Sequence, residues 1–68
     1  MRLKVNGEEI DTAAATLLQL LQEKKIKPER VAVEVNLKVL RRMDFERYLL
    51  HEGDIVEIVN FVGGGTRG

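Results

Sequence analysis

The most informative part of the chain is EGDIVEIVNFVGGG, residues 52–65. A turn signal at Gly53 and Asp54 precedes residues 55–62, which are apolar everywhere except at Glu57 and Asn60. An apolar run of this length, rich in β-branched residues, is typical of a central strand. Three glycines follow at once, and glycine loses the most conformational entropy when it is ordered. We therefore expect a folded domain of residues 1–62 and a flexible tail of residues 63–68.

The tail itself has properties that suit insertion into a partner. Fully extended, its six residues would reach on the order of 20 Å beyond the sheet. Glycine has no Cβ, so Gly63, Gly64 and Gly65 could pass through a narrow tunnel in another protein. A frayed chain end is the alternative interpretation of any glycine-rich terminus. The position directly after an apolar strand favours a functional tail.

The N-terminal residues predict a β-hairpin. Residues 2–6 alternate between polar and apolar side chains, which is the period of a half-buried strand with Leu3 and Val5 facing the core. Asn6 and Gly7 both tolerate a positive φ and form the strongest short-range signal for a tight hairpin turn. Residues 8–10 would then return as a second strand.

A helix is predicted next, because apolar residues recur at helical spacing in Ala14, Leu17, Leu18 and Leu21. Thr16 and Gln19 have the spacing of a capping box, although Thr12 is a rival N-cap one turn earlier. Pro28 cannot continue a helix that needs its backbone amide, so the helix should end before it.

The remaining segments complete an α+β pattern. Residues 31–35 alternate cleanly and are rich in valine, which predicts a strand, and Asn36 suggests a turn into a short strand at 38–40. Residues 44–49 could form one helical turn that buries Phe45, Tyr48 and Leu49. The order of strand, strand, helix, strand, short strand and strand predicts a two-layer α+β domain with one helix across one face of a sheet.

Composition narrows the possible functions of this 68-residue chain. Eleven basic residues balance eleven acidic ones, which argues against electrostatic binding to nucleic acid. The chain has no cysteine or serine and only one histidine, His51, so we expect no metal site and no nucleophilic catalytic set. It has neither a membrane-spanning apolar run nor the pattern of a signal peptide, which predicts a cytoplasmic protein without membrane contact.

We interpret His51 and the Arg41-Arg42 pair as surface residues, and the close carboxylates Glu52 and Asp54 as solvated charges in a turn. On the last strand, Val59 and Phe61 should lie on the sheet face away from the helix. Two interpretations stay open there: the pair forms an exposed patch for a partner, or the segment around Phe45 covers it.

Residues 52–65, together with residues 1–6, 16–21 and 31–36, resemble the ThiS family, the sulfur carrier proteins of thiamin biosynthesis. The resemblance covers nearly the whole chain, and the Gly-Asp turn, apolar strand and glycine tail are its most specific part. It implies a ubiquitin-like β-grasp fold, with a mixed sheet of four to five strands. It also implies that the C-terminal glycine carboxylate is adenylated and converted to a thiocarboxylate, whose sulfur enters the thiazole ring of thiamin.

The same resemblance implies which partners are needed. They are an adenylating enzyme of the ubiquitin-activating type, thiazole synthase, and a sulfur donor such as a cysteine desulfurase. ATP and the catalytic residues would belong to these partners, so the carrier would be no enzyme and would need no cofactor. Related carriers remain as alternatives: the small subunit of molybdopterin synthase, or a carrier for cysteine synthesis or tRNA thiolation. An interaction module with an idle tail is a further alternative.

The chain departs from the family pattern at two places. The family ends at Gly-Gly, which aligns with Gly64 and Gly65, whereas this chain continues with Thr66, Arg67 and Gly68. We hypothesise that these three residues are removed before activation at Gly65, or are a remnant of cloning. Leu37 stands where the family often has glycine after the turn asparagine. Since a positive φ is costly for leucine, we expect this hairpin to use a different turn.

Overall fold

A computed structural model describes residues 1–61 of the chain. These residues form five strands, one α-helix and two short 3₁₀ turns. The strands are β1 (Arg2–Val5), β2 (Glu8–Asp11), β3 (Val31–Val35), β4 (Lys38–Leu40) and β5 (Ile55–Asn60). The helix α1 spans Leu17–Glu23, and the 3₁₀ turns span Pro28–Arg30 and Arg42–Asp44.

All five strands form one mixed sheet in the order β2-β1-β5-β3-β4. Strand β5 runs parallel to β1, with Val5 opposite Val56, and antiparallel to β3, with Val33 opposite Ile58. The apolar run at the end of the sequence is therefore the central strand, as predicted. The α+β prediction of a β-grasp architecture, with a mixed sheet and one main helix, is confirmed.

The core lies between α1 and one face of the sheet. Alternation along each strand directs every second side chain to this face, and α1 contributes leucines at helical spacing. Its most deeply buried members have at most 2% of their surface exposed; they are Leu3, Leu17, Leu20, Leu21, Val33, Phe45 and Val56. Only one face of the sheet contributes to this core, so the domain has two layers.

Both hairpin turns place their central residues at positive φ. Asn6 and Gly7 have φ of 50° and 84°, which confirms the predicted β1–β2 turn. Asn36 and Leu37 have φ of 52° and 72°. The expectation that leucine would force a different turn was therefore wrong. The Asn36 side chain explains the result: its Oδ1 accepts a hydrogen bond from the Ile55 amide at 2.9 Å, and this tertiary contact outweighs the preference of Leu37.

The start of α1 settles the choice between the two candidate caps. Thr16 is the N-cap, since its Oγ1 accepts from the Gln19 amide at 3.2 Å and the Gln19 side chain accepts from the Thr16 amide at 3.3 Å. Thr12 instead stabilises the turn before the helix by accepting from the amide of Ala14 at 3.0 Å. Ala14 is buried but precedes the helix, so counting it with the helical face was wrong.

The segment between β4 and β5 packs against the start of the helix. The carbonyl oxygens of Phe45 and Tyr48 accept from the first amides of α1, at 2.9 and 3.1 Å. Phe45 is buried and Tyr48 half-buried, as predicted, but Leu49 is 61% exposed and Leu50 is buried in its place. The helical turn also starts earlier than predicted, at Arg42. Within residues 1–61, no helix is long and apolar enough to cross a membrane.

Candidate functional site on the open sheet face

The two faces of β5 have different surroundings. Val56 is fully buried against the helix layer, whereas Val59 and Phe61 are 60% and 62% exposed on the opposite, open face. Phe45 does not cover them, because it lies inside the core with only 2% of its surface exposed. Of the two interpretations left open by the sequence, the exposed patch is therefore the one that the structure supports for residues 1–61.

Neighbouring strands extend this apolar surface. Ala32 lies directly across from Val59, and Val39 of β4 lies across from Glu34 of β3. Val39 is 71% exposed, and Leu37 in the adjoining turn is 88% exposed. Together these strands form a shallow depression of about 420 Å³, which we call the open-face depression; it is lined by Ala32, Val33, Glu34, Leu37, Val39, Glu57 and Val59. Sequence reasoning identified Val59 but missed the contributions of β3 and β4, because cross-strand register is not visible in a single sequence.

The other half of the open face, on β1 and β2, is polar. Arg2 on β1 contacts Glu9 and Asp11 on β2, each at 3.3 Å. The hydrogen bond to Asp11 and its negative charge are the main reasons why the pKa of Arg2 lies above its ordinary value. All three side chains are exposed, so this network contributes little to stability. The apolar half of the face, formed by β3, β4 and β5, is therefore the distinct feature of this surface.

Strand β5 is held on the sheet up to its end. The Phe61 amide donates to the Arg30 carbonyl at 3.1 Å, which continues the pairing beyond Asn60. The Asn6 side chain accepts from the Ile58 amide at 2.7 Å and so ties the first hairpin turn to the same strand. The tail predicted to carry the chemistry lies outside the described residues; it comprises Gly63, Gly64, Gly65, Thr66, Arg67 and Gly68. Phe61 is thus the last described residue before that tail.

A buried carboxylate organises the turn that precedes β5. Asp54 is 5% exposed, so its interpretation as a solvated turn charge was wrong. Its carboxylate accepts three hydrogen bonds of 2.9 Å, from the Asn36 side-chain amide, the Tyr48 hydroxyl and the His51 backbone amide. Only the Gly-Asp pair before an apolar strand hinted at this role, because Asn36, which donates to the Asp54 carboxylate, lies 18 residues away in sequence.

The electrostatics of this cluster follow from burial and hydrogen bonding. Burial acts to raise the pKa of Asp54, but the hydrogen bonds from Asn36, His51 and Tyr48 outweigh it and leave the pKa below its ordinary value. Burial, followed by the hydrogen bond to Asp54, raises the pKa of Tyr48.

The imidazole of His51 is largely exposed, 3.8 Å from Asp54, as expected for a surface turn. Arg41 and Arg42 are exposed as predicted, and Arg41 pairs with Asp44 at 3.2 Å. No group of metal-ligating side chains occurs among residues 1–61.

Comparison with known proteins places this domain in a family. The ThiS family model matches residues 3–65. The sulfur carrier protein ThiS of Bacillus subtilis is 33% identical, over 93% of this chain and 98% of that protein. A crystal structure of the thiamine biosynthesis protein ThiS from Geobacter metallireducens superposes with a TM-score of 0.80 at 38% identity, covering 96% of this chain and all of that one.

A longer protein contains a similar segment. A thiazole synthase of Paramagnetospirillum magneticum is 39% identical to this chain over 97% of its residues, and the chain spans only about a fifth of that protein's length, 21%. The ThiS proteins of Bacillus subtilis and Geobacter metallireducens match this chain over nearly their whole length, the first in sequence and the second in both sequence and fold. This chain belongs to the ThiS family of sulfur carrier proteins.

Proposed function

We propose that this chain carries sulfur for the thiazole ring of thiamin as a thiocarboxylate on its terminal glycine. The observation that supports this most directly is the placement of β5. This strand lies at the centre of the sheet in a ThiS-family domain, its pairing continues to Phe61, and only Val62 separates Phe61 from the three-glycine sequence. Such a domain offers a surface for docking and a chain end that a partner can reach.

The chemistry needs activation by a partner enzyme. A free carboxylate is a poor acyl donor, because its leaving group would be an oxide. Attack of the carboxylate on the α-phosphate of ATP releases pyrophosphate and gives an acyl adenylate. A persulfide on the sulfur donor then displaces AMP and forms an acyl disulfide, and a second thiol reduces this disulfide, which releases the thiocarboxylate and leaves a disulfide between the two thiols. An adenylating enzyme of the ubiquitin-activating type and a sulfur donor such as a cysteine desulfurase would supply these steps. The carrier is then a substrate of its partners.

We assign the reactive group to Gly65 after removal of Thr66, Arg67 and Gly68. While Thr66 is attached, the Gly65 carbonyl is part of an amide and cannot be adenylated. Arg67 also has a long charged side chain, unlike the glycines that could pass through a narrow channel. These residues lie outside the described part of the chain, so this assignment rests on the sequence and on the chemistry of acyl activation.

Thiazole synthase is the proposed recipient of the sulfur. A protein named thiazole synthase contains a segment 39% identical to this chain. A covalent link keeps two modules at high effective concentration, which benefits a carrier that must deliver to one acceptor. In either arrangement, the carrier domain must contact the acceptor through its own surface. We assign that contact to Val59 and Phe61, the exposed apolar residues nearest to the tail on the open face.

The intact mass of the protein from its native cells tests the carrier chemistry. Under thiamin limitation we expect a species that ends at Gly65 and in which one carboxylate oxygen is replaced by sulfur. A chain that still ends at Gly68 without sulfur under the same conditions would contradict the proposal. Efficient adenylation of the full-length chain at Gly68 would contradict the trimming step alone.

A pair of matched substitutions tests the docking surface. Phe61→Asp should weaken binding to thiazole synthase and the adenylating enzyme, because a charge replaces an apolar contact. Met43→Asp is the control: Met43 is 66% exposed, close to the 62% of Phe61, but lines a separate depression between the helix and the second 3₁₀ turn. Equal binding by both variants, with both folded, would remove Phe61 from the contact.

A further inference from the structure

Two glutamates face each other in the middle of the open-face depression. Glu34 of β3 and Glu57 of β5 are direct cross-strand partners, and both line the depression. Carboxylates directly opposite each other on an antiparallel pair repel and destabilise the sheet. Arg2 is paired with Glu9 and Asp11 on the same face, but no ion pair compensates Glu34 or Glu57 among residues 1–61.

Apart from the two glutamates, the side chains that line the depression are apolar. Ala32 and Val59 flank the glutamates on one side, and Val39 lies across from Glu34 on the other. Glu34 is already half-buried before any partner binds. A purely apolar partner surface would bury two carboxylates without a counterion, which is strongly unfavourable. A partner that brings a guanidinium or ammonium group satisfies both carboxylates, and arginine does so with paired hydrogen bonds.

We infer that the open-face depression receives an arginine or lysine side chain from an otherwise apolar patch of the partner protein. Glu34 and Glu57 then select this partner: apolar side chains around the depression contribute contact area, and the carboxylates exclude surfaces that lack a cation. This inference rests on the proposed function, because it takes the partner to be the protein that receives the carrier. Thiazole synthase is therefore the probe.

The test compares two double variants of the full chain with the same change in charge. E34Q/E57Q removes the charge pair but keeps the shape of both side chains. E8Q/E29Q is the control, since Glu8 and Glu29 are exposed outside the depression. Binding to purified thiazole synthase from the same organism is measured by calorimetry at low and high salt. Thermal unfolding of each variant is measured in parallel.

We expect E34Q/E57Q to bind about tenfold or more weakly, because the partner's cation would be left without its carboxylates. Its binding should also depend less on salt than that of the wild type. The unfolding midpoint of this variant should stay equal or rise, since the cross-strand repulsion is removed. Weaker binding together with undiminished stability cannot be explained by a misfolded domain.

The possible results separate this inference from the proposed function. Wild-type binding that E34Q/E57Q leaves unchanged would overturn the inference while the carrier function stands. Equal weakening in E8Q/E29Q would show a general charge effect and would also overturn it. If the wild-type chain does not bind thiazole synthase, the proposed recipient is wrong, and the inference fails with it.

Discussion

Replacement of Asp54 by asparagine should destabilise the domain strongly although it removes only one charge. The carboxylate accepts from Asn36 through Oδ1 and from Tyr48 and His51 through Oδ2. The side chain of asparagine has an NH₂ group in place of one of these two oxygens. At least one of the three donors would therefore face this NH₂ group and lose its acceptor. The loss of a hydrogen bond to a buried charged group costs roughly 1.5–3 kcal/mol. We expect the free energy of unfolding to fall by about 2–3 kcal/mol in total. The loss is limited to this range because Asn36 and His51 are exposed and can form hydrogen bonds with water instead.

Thermal unfolding followed by circular dichroism measures this effect. For a domain of this size, 2–3 kcal/mol corresponds to a midpoint roughly 10–20 °C lower at pH 7. Asp11→Asn is the control, because Asp11 carries the same charge with 73% of its side chain exposed and should leave the midpoint nearly unchanged. A midpoint of Asp54→Asn close to that of the wild type would refute the assignment of Asp54 as the organising group of this turn.

The pH dependence gives a second and independent check on Asp54. The folded-state pKa of Asp54 is below its unfolded value, so the unfolded chain binds more protons in the acidic range. The stabilisation is therefore fully present above the ordinary aspartate pKa of about 3.9 and is lost as the pH falls through the folded-state value. The difference between wild type and Asp54→Asn should shrink towards low pH. A difference that stays constant from neutral to acidic pH would mean that the charge of Asp54 does not stabilise the fold.

Three further predictions concern local features. Leu37→Gly should stabilise the domain by up to about 1 kcal/mol, measured by urea denaturation. The left-handed conformation costs leucine about 1–2 kcal/mol, and the larger conformational entropy of glycine in the unfolded chain offsets part of the gain. A loss of stability would argue against the turn at 36–37. Thr16→Ala should cost about 1 kcal/mol, since the N-cap hydrogen bond to Gln19 disappears; an unchanged midpoint would show that the capping box contributes nothing. Tyr48 is the only tyrosine, so ultraviolet absorbance follows its ionisation directly. Its pKa should lie above that of free tyrosine, and the pKa should fall in Asp54→Asn. An ordinary titration would contradict the burial of Tyr48 beside Asp54.

Features that depend on neighbouring residues were predicted correctly from the sequence. Asn6-Gly7 gave the first hairpin turn, Thr16 and Gln19 gave the helix start, and the apolar run after Asp54 gave the central strand. The hairpin turn and the helix start are fixed by interactions that span only a few residues, and the central strand is marked by its own continuous apolar composition. The ThiS-like resemblance is confirmed by the family match over residues 3–65.

The errors occur where distant residues decide the outcome. Leu37 adopts an unfavourable φ because Asn36 is bound to the start of β5, some twenty residues later in the chain. Asp54 looked like a solvated turn charge, since its partner Asn36 lies 18 residues away. Leu49 was predicted to be buried but is exposed, because the Leu50 amide donates to the Ala15 carbonyl before α1 and this distant contact turns Leu50 into the core instead. A single sequence carries no signal for such contacts.

The arrangement around β5 explains how a small carrier can be recognised although its tail is nearly featureless. Three glycines offer a partner little besides backbone, so they fit many channels and specify none. Specificity must therefore come from the domain, and from a surface at a fixed distance from the tail. The side-chain oxygens of the turn residues Asn6 and Asn36 accept hydrogen bonds from β5 amides on both sides of the strand, and the Phe61 amide donates to the Arg30 carbonyl at its end. A partner that binds the open-face depression as proposed would therefore contact the strand whose pairing continues to Phe61, the last described residue before the tail.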